Sequence, residues 1–188
     1  MRIFIAVDIP DEAKMKLDAV IVKLKNLGGR VSWVKAKNLH LTVKFIGEYP
    51  AEGLVSLYDT LANALNGFPS GVISLADLGG FPNLYKPRVL WVGVCEGDDW
   101  FVELVKRVED GCSKLKIPKE RKKTIPHLTI GRVRDLRGAD KMLEILSNTE
   151  FKYQPFDVGS ITIYKSILTP RGAEYTALKK VILNGGRQ

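Results

Sequence analysis

The order of apolar and polar positions runs through one cycle along the first half of the chain and then repeats. Ile3 to Ile9 is a β-rich apolar run stopped by Pro10, which predicts a buried strand. Pro10 with Asp11 and Glu12 opens a helix, because proline suits a first turn and acids suit the N-terminal dipole. Leu17, Val20, Ile21 and Leu24 follow at helical spacing, and Gly28-Gly29 ends the helix. Short and long strands are expected at Val31 to Val34 and Leu39 to Gly47. Pro50 and Ala51 begin a second helix carrying Leu54, Leu57, Leu61 and Leu65. Val72 to Leu78 reads as a strand and Gly79-Gly80-Phe81-Pro82-Asn83 as a loop.

The cycle then restarts. Arg88 to Cys95 is a predicted strand, and Asp98-Asp99 can cap a helix holding Phe101, Leu104, Val105 and Val108. A basic connection covers residues 114–124, followed by a strand from His127 to Val133 and a short helix with Met142, Leu143, Ile145 and Leu146. Phe156 to Ile167 and Glu174 to Ile182 read as two strands joined by a turn at Pro170-Arg171-Gly172. Strand–helix–strand–helix–strand is therefore used twice within one domain, residues 1–188, in repeats at about 1–80 and 87–188. Ile3 to His40 is 37 positions and Val89 to His127 is 38. No linker-like stretch separates the halves, so the pattern predicts two lobes about a pseudo-twofold axis with a cleft between them.

The two matching strands hold the chain's only two histidines. They read Asn38-Leu39-His40-Leu41-Thr42-Val43-Lys44-Phe45 and Ile125-Pro126-His127-Leu128-Thr129-Ile130-Gly131-Arg132. In a strand, residues two apart share a face. His40 and Thr42 share one face, with Lys44 next along it, and Leu41 and Val43 share the other. His127 and Thr129 repeat this, with Leu128 and Ile130 behind them. A twofold axis would set the two imidazoles opposite each other in the cleft.

Composition narrows the setting. The net charge of +8 points to a polyanionic partner such as nucleic acid. Cys95 and Cys112 form no disulfide framework and no metal-ligand spacing, and both are expected to fill apolar positions in a reducing compartment. The apolar run at the N-terminus is too short for a signal peptide or membrane span, so a cytoplasmic protein is expected.

Two opposed histidines can do acid–base chemistry at phosphorus. Near neutrality one can be neutral and accept a proton from water while the other, protonated, gives one to a leaving oxygen. Displacement at phosphorus places nucleophile and leaving group roughly in line, on opposite sides. The threonine hydroxyls can stabilise the non-bridging oxygens. No metal or cofactor is expected.

The paired His-Leu-Thr-aliphatic motifs resemble the signature of the 2H phosphoesterase superfamily. Within it the chain is similar to the RNA 2′,3′-cyclic phosphodiesterases, also called 2′-5′ RNA ligase-like or LigT-like proteins. The likeness runs nearly end to end, through Phe4-Ile5-Ala6-Val7-Asp8-Ile9-Pro10, both histidine motifs, Pro87-Arg88-Val89-Leu90-Trp91, and Ser166 to Tyr175. It implies a bilobal α+β fold with antiparallel sheets around a central cleft. It implies hydrolysis of a 2′,3′-cyclic phosphate to a 2′-phosphate at an RNA end, tRNA fragments among the candidate substrates. His40 would be proton donor and His127 acceptor, with Thr42 and Thr129 on the phosphate. Where the family usually has an aromatic before the second motif, this chain has Lys122-Lys123-Thr124.

Other residues keep two readings each. Lys44 is a phosphate contact or a solvated charge at the strand's end. Arg132 is off-parity with His127 and points away unless Gly131 permits a bulge; its match to the family motif favours a phosphate or base contact. Trp33 is core or a stacking platform, and Phe81 and Tyr85, in a loop, are the better candidates for stacking on a base. The basic run from Lys114 to Lys123 tracks an RNA backbone or is simply solvated. Rival functions are a 2′-5′ RNA ligase, a phosphodiesterase for 2′-5′ oligonucleotides or a small cyclic nucleotide, and a non-catalytic RNA-binding module. A monomer without membrane contact is expected.

Overall fold

The computed structural model describes residues 1–170 and 172–185; Arg171, in the expected Pro170-Arg171-Gly172 turn, lies outside them. The elements in chain order are β1 (Arg2–Asp8), α1 (Asp11–Lys25), β2 (Arg30–Trp33), β3 (His40–Glu48) and α2 (Leu54–Ala64). There follow β4 (Gly71–Phe81), β5 (Val89–Val94), α3 (Asp98–Lys114), β6 (His127–Asp135), α4 (Asp140–Ser147), β7 (Lys152–Val158), β8 (Ser160–Thr169) and β9 (Gly172–Ile182). This is an α+β fold with two antiparallel sheets, ordered β3-β1-β8-β9 and β2-β6-β5-β4-β7. Each sheet draws strands from both halves of the sequence. The first puts β1 and β3 beside β8 and β9, and the second puts β5 and β6 beside β2 and β4. A histidine strand lies in each, and β3 comes within 8 Å of β6, Cα to Cα.

Alternation explains what is buried. Ile3, Ile5 and Val7 of β1, Leu41 of β3, Leu90 and Val92 of β5 and Leu128 of β6 all join one core. The helices close it with Leu17, Ile21 and Leu24 from α1, Leu57 and Leu61 from α2, and Phe101, Leu104 and Val108 from α3. Among the described residues no helix is long and apolar enough to cross a membrane.

Four local expectations change. Gly79 to Phe81 is not loop but the end of β4, paired with β5 through Gly79↔Trp91 and Phe81↔Val89. The glycines there make room: a Cβ on Gly79 would stand 2.2 Å from the Trp91 ring. Phe156 to Ile167 is not one strand, since the chain leaves β7 in the second sheet and enters β8 in the first. Asp98 and Asp99 sit in the first turn of α3 without a capping hydrogen bond; the N-cap is Gly97, at φ +78. That backbone conformation suits glycine, and a Cβ there would meet the Val72 carbonyl oxygen at 2.1 Å. Cys112 is buried as expected, but Cys95 is exposed, because it follows the last residue of β5 on the way into α3.

Leu41 and Leu128 are fully buried directly behind the two histidine faces. Leu41→Ala or Leu128→Ala should each lower unfolding free energy by about 2–5 kcal/mol in urea titration. A loss below about 1 kcal/mol would mean that these strands are not anchored through that face.

Candidate active site

Both histidine strands carry the same irregularity. In β3, Lys44 pairs with Ile5 and Thr42 with Ala6, leaving Val43 as an extra residue. In β6, Gly131 pairs with Leu90 and Thr129 with Trp91, leaving Ile130 extra. One extra residue shifts the alternation, so the side chains that follow it change face. The cleft face of β3 therefore reads His40, Thr42, Phe45, and that of β6 reads His127, Thr129, Arg132, Arg134.

Lys44 is thereby corrected. It does not share the histidine face but turns inward, 4% exposed. Its Nζ donates to Glu109 Oε2 at 2.6 Å and to the Pro118 carbonyl at 2.9 Å. Arg132 moves the other way. The bulge before Gly131 brings it to the cleft side, where with His40, Thr42 and Thr129 it walls a cavity of about 550 Å³. Trp33 lines the same cavity. His127, Phe81 and Tyr85 are not part of this wall. His127 lies on the same face of β6 as Thr129, with the Phe81 ring edge-on at 4.9 Å between centroids. Tyr85 is 91% exposed, and the aromatic partner of His127 is Phe81.

The imidazoles are held alike. His40 Nδ1 lies 2.6 Å from the Asn38 carbonyl oxygen, and His127 Nδ1 lies 2.7 Å from that of Ile125. A carbonyl oxygen only accepts, so each Nδ1 carries a proton and each Nε2 is the exchanging atom. His40 Nε2 is 3.1 Å from Thr42 Oγ.

Their surroundings differ. Asp8 pairs across the strands with His40, whereas Gly93 holds the equivalent place opposite His127. The Asp8 carboxylate accepts from Thr162 Oγ at 2.9 Å and from the Tyr164 hydroxyl. Burial lowers the pKa of His40 below the usual 6.5, opposed by its bond to Asn38 and by the charge of Asp8. Burial lowers His127 too; its bond to Ile125 opposes this, but the Arg132 charge adds to it. Two aromatic rings flank His40: Phe4 at 4.9 Å and Tyr175 at 5.5 Å between ring centroids. Sequence reasoning passed over Asp8, Phe4 and Tyr175 as site residues. Cross-strand pairing signals Asp8 and Phe4, but only the sheet order brings β9 to the site. Among the described residues, no group of three or more His, Cys, Asp or Glu side chains is placed to hold a metal ion.

Two antiparallel sheets, each presenting a His-x-Thr strand, are the arrangement of the two-histidine (2H) phosphoesterase class. Residues 15–168 match the family model of the 2′-5′ RNA ligase superfamily, and the chain belongs to that family. It is 33% identical to an RNA 2′,3′-cyclic phosphodiesterase of Thermotoga maritima, over 99% of this chain and 97% of that one. The enzyme of the same name from Methanocaldococcus jannaschii is 34% identical over 96% and 99% of the two chains. Among solved structures, a Thermus thermophilus protein covers 100% of both chains with a TM-score of 0.78 and 28% identity. E. coli LigT complexed with 3′-AMP has the same fold, with a TM-score of 0.77 and 24% identity over 97% of this chain and 98% of that one.

The Lys44–Glu109 pair is buried on both sides. Removing one partner strands the other charge, so Lys44→Ala should cost about 3–5 kcal/mol of stability. Lys44→Met with Glu109→Leu should recover most of that loss, because a packed apolar pair replaces the charges. Urea titration of the three proteins checks this; a double variant no better than Lys44→Ala would refute it.

Proposed function

We propose that this chain hydrolyses the 2′,3′-cyclic phosphate at an RNA end to a 2′-phosphate, with His40 as general acid and His127 as general base. The observation that carries this reading is the pair of like-held imidazoles on bulged His-x-Thr strands, set apart by Asp8 on one side and Gly93 on the other. The family membership and the activity named for the relatives support it.

Water attacks phosphorus while His127 Nε2 takes its proton. The bond to the ribose 3′-oxygen breaks, and His40 Nε2–H gives that oxygen a proton. The electrostatics favour this direction: Asp8 helps hold a proton on His40, and Arg132 helps keep His127 neutral. Thr42 and Thr129 donate to the non-bridging oxygens, and Arg132 offsets the phosphate charge. Phe81 positions the His127 ring by its edge contact. The substrates are cyclic-phosphate RNA ends, tRNA fragments among them. The protein acts as a monomer in the cytoplasm, a setting in keeping with its two free thiols.

The test is incubation with a 2′,3′-cyclic-phosphate-ended RNA in chelator, with the product terminus identified. A 2′-phosphate should form, and His40→Ala and His127→Ala should each lose about 10²–10⁴-fold. On a nucleoside 2′-(nitrophenyl phosphate), whose phenolate leaves without a proton, His40→Ala should be largely rescued and His127→Ala should not. The opposite pattern would reverse the roles, and activity abolished by chelator and restored by metal would refute the mechanism.

The pH profile has a sign. Both free-enzyme histidine pKa values lie below 6.5, and catalysis needs His127 neutral and His40 protonated. Activity should therefore rise with pH through the lower apparent pKa of the pair and fall through the upper one. The kcat/KM bell should peak below pH 6.5. Bound phosphate, being anionic, raises both values, so the kcat bell should lie to the alkaline side of the kcat/KM bell. A kcat/KM maximum above pH 7 would contradict this assignment.

A further inference from the structure

Among the described residues, the cavity beside His40 is lined by four cations, Arg2, Lys35, Arg132 and Arg134, and by no carboxylate. Among the described residues none of the four makes an ion pair with an acid. Arg134 is steered by its Nε donating to Ser32 Oγ at 3.0 Å. Arg132 and Arg2 line the cavity with Tyr175, and both charges act on its phenol, which burial pushes upward. The chain has 21 acidic residues, so a cavity with four cations and none of the acids is a site of concentrated positive potential.

The basic run after α3 is a weaker candidate. Lys119 is paired with Asp110, the Glu120 carboxylate accepts from the backbone N–H of Arg121 and Lys122, and no residue of the run lines the cavity.

The direction of the basic wall follows from the strands. Along β6 the cleft face passes from Thr129 to Arg132 and then Arg134, and along β3 from Thr42 to Phe45. Thr129 to Arg132 covers about 7–10 Å of strand, allowing for the bulge. That is on the scale of one nucleotide. Phe45 is 61% exposed and occupies, after its own bulge, the position that Arg132 occupies on the other strand. An exposed ring beside a basic channel suits a stacked base.

We propose that this wall binds the phosphodiester immediately 5′ to the reacting nucleoside, with Arg2, Arg134 and Lys35 on its oxygens and the terminal base against Phe45. The preferred substrate is then an oligoribonucleotide of two or more residues, not a mononucleoside cyclic phosphate. This rests on the cyclic-phosphate reading of the His40–His127 site.

The experiment compares kcat/KM for a mononucleoside 2′,3′-cyclic phosphate, a dinucleotide ending in the same group, and that dinucleotide with a neutral methylphosphonate at its internal linkage. The charged dinucleotide should exceed the mononucleoside by about tenfold or more, and the methylphosphonate should lose most of that gain. Arg2→Gln with Arg134→Gln should lower the charged dinucleotide about tenfold more than the mononucleoside, and should no longer distinguish the two linkages. Its log–log salt dependence on oligonucleotides should flatten by about 0.7 per lost contact. Equal kcat/KM for mononucleoside and dinucleotide in the unaltered protein would overturn the proposal, as would a methylphosphonate handled as well as the phosphodiester. Both comparisons hold even if the double variant folds poorly. Turnover of the mononucleoside without length preference overturns this inference alone; no turnover of any cyclic phosphate overturns the reading of the site and this with it.

Discussion

The site depends on one backbone constraint used twice, an extra residue in each histidine strand. Without it, strict alternation would carry Lys44 and Gly131 into the cleft and send Phe45 and Arg132 into the core. With it, Val43 and Ile130 are both buried and so are the residues after them. Each lobe must therefore accommodate a second inward residue in succession, and the two do so differently. The second uses glycine, because a Cβ on Gly131 would stand 2.8 Å from Val31 Cγ1 and 3.0 Å from the Trp33 ring. The first uses a lysine long enough to reach a buried acid on α3. The bulge thus frees the next position, Phe45 or Arg132, to face the cleft.

A pseudo-symmetric frame needs some break in symmetry before two histidines can take opposite roles. The rings are oriented by the same device, a carbonyl two residues upstream. The break lies one strand away, where β1 offers Asp8 and β5 offers Gly93. A carboxylate favours the protonated ring and a glycine leaves it alone. Arg132 deepens the difference, because it lies on β6 and its charge acts on His127. Asp8 and Arg132 thus bias two rings of the same local geometry in opposite senses, on top of the burial that lowers both.

Much of this was legible in the sequence, and the misses have physical causes. Period-2 and helical spacing located most of the strands and the four α-helices of the described residues, because burial on one face dictates them. The His-x-Thr faces were legible because both residues precede the bulge. Lys44 was misplaced because a bulge leaves no composition signal in Thr42-Val43-Lys44; the same event in β6 was foreseeable only because Gly131 invites it. The β7–β8 break was missed because Gly159 lies inside an otherwise β-forming run, and a single glycine does not say that the chain changes sheet. Tyr175 escaped because its nearness to His40 depends on β8 and β9 joining the sheet of β1, a non-local pairing that periodicity cannot encode.

The buried pair beneath β3 gives the bulge a wider consequence. Glu109 accepts from Lys44 Nζ and, at 3.3 Å, from the backbone N–H of Glu120, while Lys44 also holds the Pro118 carbonyl. The strand of His40 is thereby fastened to the connection that runs into the strand of His127. Apolar residues could fill the same space with equal or better stability, but they would not fix which backbone groups meet. Directed hydrogen bonds do. The residue turned away from the cleft by the first bulge therefore ties together the two segments that carry the histidines. The lysines around Pro118 and Glu120 then belong to a connection whose backbone position is set from beneath, whereas Arg2, Lys35, Arg132 and Arg134 line the cavity.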